Sequence, residues 1–186
     1  MKKIEIKEFG GPEVLEIKNV DIGKPGQNEV LVKNLSIGIN YIDTYHRSGL
    51  YPIPLPSGIG LEACSIIEEV GSEVKLFKVG DRVTRASMPI GTYSEKQIIP
   101  EDKLVKVPDN ISDEVASCIT LKGITAEYLL HRTYQVKKGD KILYHAAAGA
   151  LGQIFCPWAN ALGAEIIGTV GSCLLYTSPS PRDFEA

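Results

Sequence analysis

Residues 141–170 read KILYHAAAGALGQIFCPWANALGAEIIGTV, and this stretch decides the fold class. Residues 141–145 are a short, mostly apolar strand candidate, and residues 150–162 predict a helix that ends at Gly163. Residues 165–170 are a second apolar strand candidate. A strand, a small-residue loop, a helix and a strand in this order predict one βαβ unit whose two strands are parallel neighbours.

The loop of this unit has the spacing Ala-x-x-Gly-x-x-Gly, with Ala146 in the first glycine position and glycines at 149 and 152. Small residues there let a diphosphate approach the backbone, and the helix N-terminus offers free N–H groups and partial positive charge. Small residues also begin helices that merely pack tightly on a sheet, and the loop by itself leaves that alternative open. Because it follows a strand and opens a helix, we interpret it as a dinucleotide cradle.

The end of the second strand favours one nicotinamide cofactor over the other. The strand ends Thr169-Val170-Gly171-Ser172, without an acidic residue. An NAD site uses Asp or Glu about 20 residues past the loop to hold the ribose 2′-hydroxyl, whereas a carboxylate would repel a 2′-phosphate. The missing acid therefore favours NADP(H).

The first 120 or so residues show a different pattern, in which Gly- and Pro-containing turns separate short strand candidates. These candidates lie at 4–7, 14–17, 29–39, 64–70, 81–84, 93–99 and 104–106. Residues 48–62 are too rich in Pro and Gly for a strand or a helix. Ser112 is expected to cap a helix over 113–119, and 124–134 predicts another helix. The many short strands predict a small barrel or a curled antiparallel sheet.

The composition is that of a soluble globular protein: of 186 residues, 44% are hydrophobic and 23% are charged. A net charge of −3 gives no reason to expect nucleic acid or an anionic membrane as a partner. No apolar run approaches the roughly 20 residues that span a bilayer, and the opening MKKIEIKEFGG is not a signal peptide. We therefore expect a cytoplasmic protein.

The four cysteines indicate neither disulfides nor a metal site. Cys64, Cys118, Cys156 and Cys173 are scattered, with no C-x-x-C pair and no His at ligand spacing. We interpret them as isolated small hydrophobic residues of a reducing compartment.

Polar residues are concentrated in IGINYIDTYHRSGLY, residues 37–51. Asn40, Asp43, Thr44 and Tyr45 are among those that would fall on two faces of a short helix after a strand. They could be capping and turn residues or site residues, and composition alone leaves both interpretations open.

Four stretches together identify a family. IGINYIDTYHRSGLYPIPLPSGIGLEA (37–63), GDRV (80–83), LKGITAEYLL (121–130) and HAAAGALGQ (145–153) resemble the zinc-independent quinone oxidoreductases of the medium-chain dehydrogenase/reductase superfamily, the branch of bacterial quinone reductase and ζ-crystallin. The likeness runs over residues 3–172.

The resemblance implies a GroES-like β-barrel catalytic domain at 1–122, followed at 123–172 by part of a Rossmann NADP-binding domain. It implies NADPH-dependent reduction of quinones by hydride transfer, and a homodimer for the full-length parent. Two alternatives stay open: an NADPH-dependent enone or enoyl C=C reductase, and a non-catalytic crystallin-like or binding protein.

The resemblance also assigns site residues. It implies Asn40, Asp43 and Tyr45 as the catalytic group. The implied cofactor contacts are Asn40, Tyr41, Ile42, Asp43, Thr44, Tyr45, Tyr128, Gly149, Ala150, Leu151, Gly152 and Gly171. The pattern of the resembled family has another Gly at position 150, so the resemblance implies that the methyl group of Ala150 crowds a phosphate. Zinc-dependent relatives have a Cys near position 40 and a His before Glu62; Asn40 and Leu61 stand there, so no catalytic metal is expected.

The resemblance ends after Ser172. Residues 173–186, CLLYTSPSPRDFEA, have no amphipathic period, and their prolines exclude a helix. We interpret this tail as an artefact, a translated adapter, with Leu175 where the family has a phosphate-binding lysine. An incomplete Rossmann domain would leave apolar strands bare, so we expect little or no reductase activity from this polypeptide and no micromolar NADPH binding.

Overall fold

The computed structural model describes residues 1–172 and divides the chain into two compact units, Met1–Leu121 and a second that begins at Lys122. The predictions for Cys173, Leu175 and the tail 173–186 lie outside the described residues. Among the helices of residues 1–172, none is long and apolar enough to cross a bilayer.

The first unit is built from short antiparallel strands, as predicted. Its strands are β1 (Lys2–Ile6), β2 (Glu16–Asn19), β3 (Glu29–Gly38), β4 (Ser57–Gly58), β5 (Glu62–Val70), β6 (Arg82–Ala86), β7 (Lys96–Pro100) and β8 (Val105–Lys106). Five of them form a sheet in the order β7-β3-β5-β6-β8, and three form a second sheet in the order β2-β1-β4. Helix α1 (Tyr41–Ser48) follows β3, and helix α2 (Asp113–Glu127) begins in this unit.

The inner face of the five-stranded sheet forms the core of the first unit. Alternate residues of each strand point to the same face, which is why the apolar residues of β3 and its neighbours meet. The buried cluster consists of Val30, Val32, Ile67, Val83, Ile99 and Leu104. Residues Val30–Lys33 pair with β7 on one side and β5 on the other, so β3 is a central strand of the sheet.

Three sequence predictions for the first unit need correction at their boundaries. The stretch 48–62, predicted to be irregular, contains β4, which pairs with β1 through Gly58 and Glu5. Val14 lies in a 3₁₀ turn, Pro12–Val14, rather than in a strand. The strand predicted from residue 93 begins at Lys96.

The prediction of two separate helices before β9 is wrong. Residues 113–127 form one continuous helix, and a π-helical turn, Tyr128–Thr133, follows it directly. Gly123 lies between the two predicted helices, but one glycine costs a helix only about 1 kcal/mol. Burial of Ala126 and Leu130, both fully inaccessible, outweighs that cost. The predicted cap is confirmed, because Ser112 Oγ accepts the N–H of Val115 at 3.3 Å.

The second unit contains the predicted βαβ arrangement: β9 (Lys141–His145), α3 (Gly152–Ala161) and β10 (Glu165–Thr169). The two strands are parallel and in register from Lys141 opposite Glu165 to His145 opposite Thr169. Helix α3 packs on them through a cluster of Ala126, Leu130, Val136, Phe155, Cys156, Ala159 and Ala164. After α3 the chain turns at Gly163, in the left-handed conformation that glycine adopts without strain.

The opposite face of β9 and β10 carries apolar residues that face water. Leu143 is 59% exposed and Ile167 is 52% exposed. These two residues lie opposite each other in the parallel register. The bare apolar surface expected from the sequence is thus present on these strands.

Candidate functional site

The beginning of α1 is fixed by two predicted site residues. Asn40 immediately precedes the helix, and its backbone N–H donates to Asp43 Oδ2 at 2.9 Å. Its side-chain Nδ2 donates to Glu62 Oε2, also at 2.9 Å. Asn40 is 6% exposed and Asp43 is 3% exposed. Both side chains therefore serve the helix terminus from inside the unit, where an N-cap satisfies otherwise unpaired N–H groups.

Tyr93 completes the surroundings of Asp43. Its hydroxyl donates to Asp43 Oδ2 at 2.9 Å. Burial raises the pKa of the Asp43 carboxyl, while the hydrogen bonds from Asn40 and Tyr93 act against this increase. Burial and the neighbouring carboxylate raise the pKa of Tyr93, so its hydroxyl remains a donor. Tyr93 could not be singled out from the sequence, since 50 residues separate it from Asp43.

Glu62 joins this cluster from the first position of β5. Its Oε1 accepts the backbone N–H of Leu121 at 2.7 Å, while its Oε2 accepts from Asn40. The partner strand leaves room for this carboxylate only because residue 38 is glycine: a Cβ there would lie 3.0 Å from Glu62 Oε2 and 1.9 Å from Ser117 O. These contacts of Glu62 could not be predicted from the sequence, because they join residues 22 and 59 positions apart.

The outer side of α1 presents tyrosines. The rings of Tyr41 and Tyr45 meet edge to face with centroids 5.2 Å apart, and the rings of Tyr45 and Tyr51 do so at the same distance. Tyr41 is 76% exposed, and Tyr51, which the sequence analysis did not assign, is 51% exposed. We call Tyr41, Tyr45 and Tyr51 the tyrosine cluster; it offers aromatic edges and faces to a planar ligand.

Two further predicted contacts on α1 have less to offer a ligand. Ile42 is half-buried, and Thr44 uses its hydroxyl to donate to the carbonyl oxygen of Tyr41 at 2.7 Å.

In the second unit, Tyr128 is half exposed at the start of the π-helical turn.

The loop between β9 and α3 has the backbone of a tight cradle. Ala146 has a φ of +57°, a left-handed conformation that is uncommon for a residue with a side chain. Ala147 N–H donates to Thr169 O at 3.0 Å, which ties the loop to the end of β10. A Cβ at Gly152 would lie 2.2 Å from Ala147 O, so any side chain here would force the loop backbone to move.

The N-terminus of α3 offers donors to a ligand. Gly149 N–H donates back to Ala146 O at 2.8 Å, whereas within residues 1–172 the N–H groups of Ala150 and Leu151 have no backbone acceptor. Ala150 is exposed, as is Gly171 just beyond β10. Open N–H groups at a helix N-terminus, next to a glycine whose replacement would force the loop to move, fit a diphosphate. The cradle predicted from the sequence thus has suitable geometry.

A polar pair lies at the same end of the two strands. His145 Nδ1 and Thr169 Oγ1 are 2.9 Å apart and belong to residues that are directly opposite in the register. Both side chains are exposed. This pairing of His145 could not be predicted from the sequence, because a cross-strand pair depends on register rather than on local pattern.

Metal ligands are not grouped in the part of the chain that the structure describes. In residues 1–172, no three His, Cys, Asp or Glu side chains are placed to hold an ion. Cys64, Cys118 and Cys156 are free thiols.

Comparison with known proteins identifies the first unit and the relatives of the chain. Residues 26–109 match the alcohol dehydrogenase GroES-like domain. The chain is 54% identical over 172 residues to a quinone oxidoreductase of Pseudomonas aeruginosa, covering 92% of this chain and 53% of that protein. It is 46% identical over 174 residues to a 2-haloacrylate reductase of Burkholderia, covering 90% and 52%.

Two similar proteins of known structure are also reductases. The quinone oxidoreductase of Escherichia coli complexed with NADPH superposes with a TM-score of 0.92 at 47% identity, over 97% of this chain and 57% of that one. The CurK enoyl reductase superposes with a TM-score of 0.85 at 27% identity, over 94% and 55%. The chain spans about half the length of the curated relatives it matches. These findings confirm the resemblance and the fold class inferred from the sequence.

Proposed function

We propose that the full-length parent of this chain, a homologue of the quinone oxidoreductases of the medium-chain dehydrogenase/reductase superfamily, catalyses the NADPH-dependent reduction of quinones, and that the 186-residue chain itself has little or no reductase activity. The observation that carries the proposal is the loop 146–152, which combines open helix N-terminal N–H groups with a glycine whose replacement would force the loop to move. The P. aeruginosa relative, 54% identical, is a quinone oxidoreductase, and the E. coli structure contains NADPH.

The cofactor is proposed to bind through the second unit. The backbone N–H groups of Ala150 and Leu151 would donate to the diphosphate, and Gly149 and Gly152 would let it approach. Gly171 would lie beside the adenosine ribose, where the absence of a carboxylate suits a 2′-phosphate. Tyr128 is a further proposed contact. When bound, the nicotinamide supplies the hydride.

The first unit is proposed to orient the quinone that accepts the hydride. Tyr45, with Tyr41 beside it, is the proposed substrate contact, because a flat aromatic surface suits a quinone ring. Asn40 and Asp43 are buried and bonded within the unit, so we assign them the positioning of α1. Ile42 and Thr44 stay proposed cofactor contacts. With Asn40 and Leu61 where zinc-dependent relatives have ligands, the reaction would depend on positioning and hydrogen bonding rather than on a Lewis acid.

Amide NMR of the ¹⁵N-labelled chain tests the cofactor proposal. Millimolar NADPH should shift the backbone signals of residues 147–152 and 171, and NADH should shift them less at the same concentration. Weak binding is enough for this measurement, so it also tests the expectation that micromolar binding is absent. Shifts that are equal for both cofactors, or that avoid this loop, would refute the proposal.

A second function is favoured by two relatives. The Burkholderia protein is a 2-haloacrylate reductase, and CurK is an enoyl reductase. Reduction of an activated C=C bond needs the same cofactor and a similar pocket. Steady-state rates of the full-length parent with duroquinone and with an enone, at equal NADPH, separate the two functions: the proposal requires the larger kcat/KM for the quinone.

The homodimer implied by the resemblance is part of the same proposal. Sedimentation equilibrium measures it directly. A mass that stays monomeric across the accessible concentration range would remove dimerisation from the proposal without affecting cofactor binding.

A further inference from the structure

We propose that Glu62 is the positioning residue of the first unit: its buried carboxylate fixes Asn40 and thereby the orientation in which α1 presents the tyrosine cluster. The inference rests on the proposed function in one respect, namely that this cluster contacts the quinone. The hydrogen bonds that Glu62 makes with Asn40 and Leu121 do not depend on the proposed function.

The burial of Glu62 calls for an explanation. The side chain is 0% exposed, and the residues that follow it in β5, Ala63 and Cys64, are fully buried as well. A carboxylate in such a place is costly unless hydrogen bonds compensate it, and an apolar residue would fill the same position at less cost. The presence of two acceptor oxygens here therefore points to a task that needs both of them.

Each oxygen of Glu62 holds a different element. Oε2 accepts from Asn40 Nδ2 at 2.9 Å, and Oε1 accepts from the N–H of Leu121 in α2 at 2.7 Å. Gly38 makes the space, since a Cβ there would meet both Ser117 O and the carboxylate. The carboxylate thus ties the residue that begins α1 to the backbone of α2.

The link from Asn40 to the tyrosines is short. Helix α1 has 8 residues, about two turns, and a helix of that length depends on its anchors for stability and direction. The backbone N–H of Asn40 bonds Asp43, one turn into the helix. Tyr41 and Tyr45 lie on the same two turns, so a displacement of Asn40 would move both rings.

The donor and acceptor roles define a sharp test. Asn40 Nδ2 and the Leu121 N–H are both donors, and glutamine has only one acceptor oxygen. Glu62→Gln therefore leaves one donor facing an NH₂ group. Adding Asn40→Asp reverses the polarity of the first pair: the introduced glutamine donates to the introduced aspartate and still accepts from Leu121. Aspartate also keeps the ability to begin a helix.

The experiment uses the 186-residue chain labelled with fluorotyrosine, in four forms: unchanged, Glu62→Gln, Glu62→Gln with Asn40→Asp, and the control Glu69→Gln. Glu69 is exposed on the same strand, so its substitution removes the same charge without touching the cluster. Fluorine signals, assigned by single Tyr→Phe changes, report Tyr41, Tyr45 and Tyr51, and a duroquinone titration reports binding.

Glu62→Gln should shift the signals of the tyrosine cluster and weaken duroquinone binding by roughly tenfold, whereas the double variant should restore both to within about twofold and the control should change neither. If Glu62→Gln unfolds, the double variant must still fold and bind. A purely structural role would lower the unfolding midpoint but leave the signals and the affinity of the folded chain unchanged, and that result would overturn the proposal. If no form binds duroquinone, the proposed function fails, while the fluorine signals still decide the role of Glu62.

Discussion

Gly152 lies against the carbonyl oxygen of Ala147 so closely that a Cβ at position 152 would be 2.2 Å from it. Because backbone rather than a flexible side chain is in the way, the loop would have to move. We expect Gly152→Ala to destabilise the chain by about 2 kcal/mol, as overpacking does, and to abolish any NADPH-induced shift of residues 147–152.

The matched control for this substitution is Gly171→Ala. Nothing lies within 4 Å of a Cβ at Gly171, and its backbone is not left-handed, so the free energy of unfolding should change by less than about 0.5 kcal/mol. Urea unfolding of both variants measures the difference. Equal losses at the two positions would show that the close approach at Gly152 has no energetic consequence.

Ala146 is the opposite case to Gly152: it has a side chain at a position whose backbone conformation favours glycine. At a φ of +57°, its left-handed strain is about 1–2 kcal/mol, of which the greater freedom of glycine in the unfolded chain offsets part. We therefore expect Ala146→Gly to raise the free energy of unfolding by about 0.5–1 kcal/mol.

A Gly→Ala substitution inside a helix is the matched comparison for Ala146→Gly. Gly123 lies inside α2 with nothing within 4 Å of its Cβ position, so Gly123→Ala should also be stabilising, by about 0.5–1 kcal/mol. Thermal and urea unfolding check both substitutions. A loss of stability on Ala146→Gly would mean that the methyl group makes contacts worth more than the strain.

Local sequence signals predicted most of the fold. Alternation and turn residues located the strands, and the parallel pair β9 and β10 followed from the strand-loop-helix-strand order. The bonds that build the cluster around Asn40 could not be found this way. They join residues 22, 50 and 59 positions apart, and such pairs depend on how the strands are placed in space rather than on any period along the chain.

The same limit explains why the sequence left the roles of Asn40 and Asp43 open. The stretch 37–51 was compatible both with capping residues and with a site. In the structure both side chains are buried and hydrogen-bonded at the beginning of α1, while Tyr41 is exposed and Tyr45 is half-buried. Which side of a two-turn helix is buried depends on its neighbours, and Glu62 and Tyr93 were not visible as neighbours in the sequence.

The thiols differ in a way that alkylation can measure. Cys118 is exposed, whereas Cys64 is fully buried, and burial raises the pKa of the Cys64 thiol to about 11. Thiolate is the reactive form, so iodoacetamide should label Cys118 much faster than Cys64 in the folded chain. Peptide mass spectrometry over time, with a urea-unfolded control in which both label readily, gives the ratio. Comparable rates in the folded chain would contradict the burial of Cys64.

The hydrogen bond from Tyr93 to Asp43 should make stability depend on pH in a defined direction. Burial already raises the pKa of Asp43 in the folded chain, and the Tyr93 bond lowers it; Tyr93→Phe therefore raises it further. A carboxyl whose pKa is higher in the folded state binds more protons there, so stability falls as pH rises through this range and stays low above it. The substitution should therefore cost about 1–2 kcal/mol at neutral pH and clearly less at an acidic pH below the raised pKa of Asp43, where its carboxyl is protonated in the folded state of the unchanged chain and of the variant alike.

Urea unfolding of the unchanged chain and of Tyr93→Phe, at both pH values, measures how the loss in free energy of unfolding changes with pH. The contribution of all other carboxyl groups cancels between the two proteins, since they share them. Tyr45→Phe serves as the control, because the Tyr45 ring packs on Tyr41 and Tyr51 away from the bond to Asp43, and its cost should be the same at both pH values. A cost for Tyr93→Phe that is equal at neutral and acidic pH would mean that the hydroxyl stabilises packing only, without acting on the charge of Asp43.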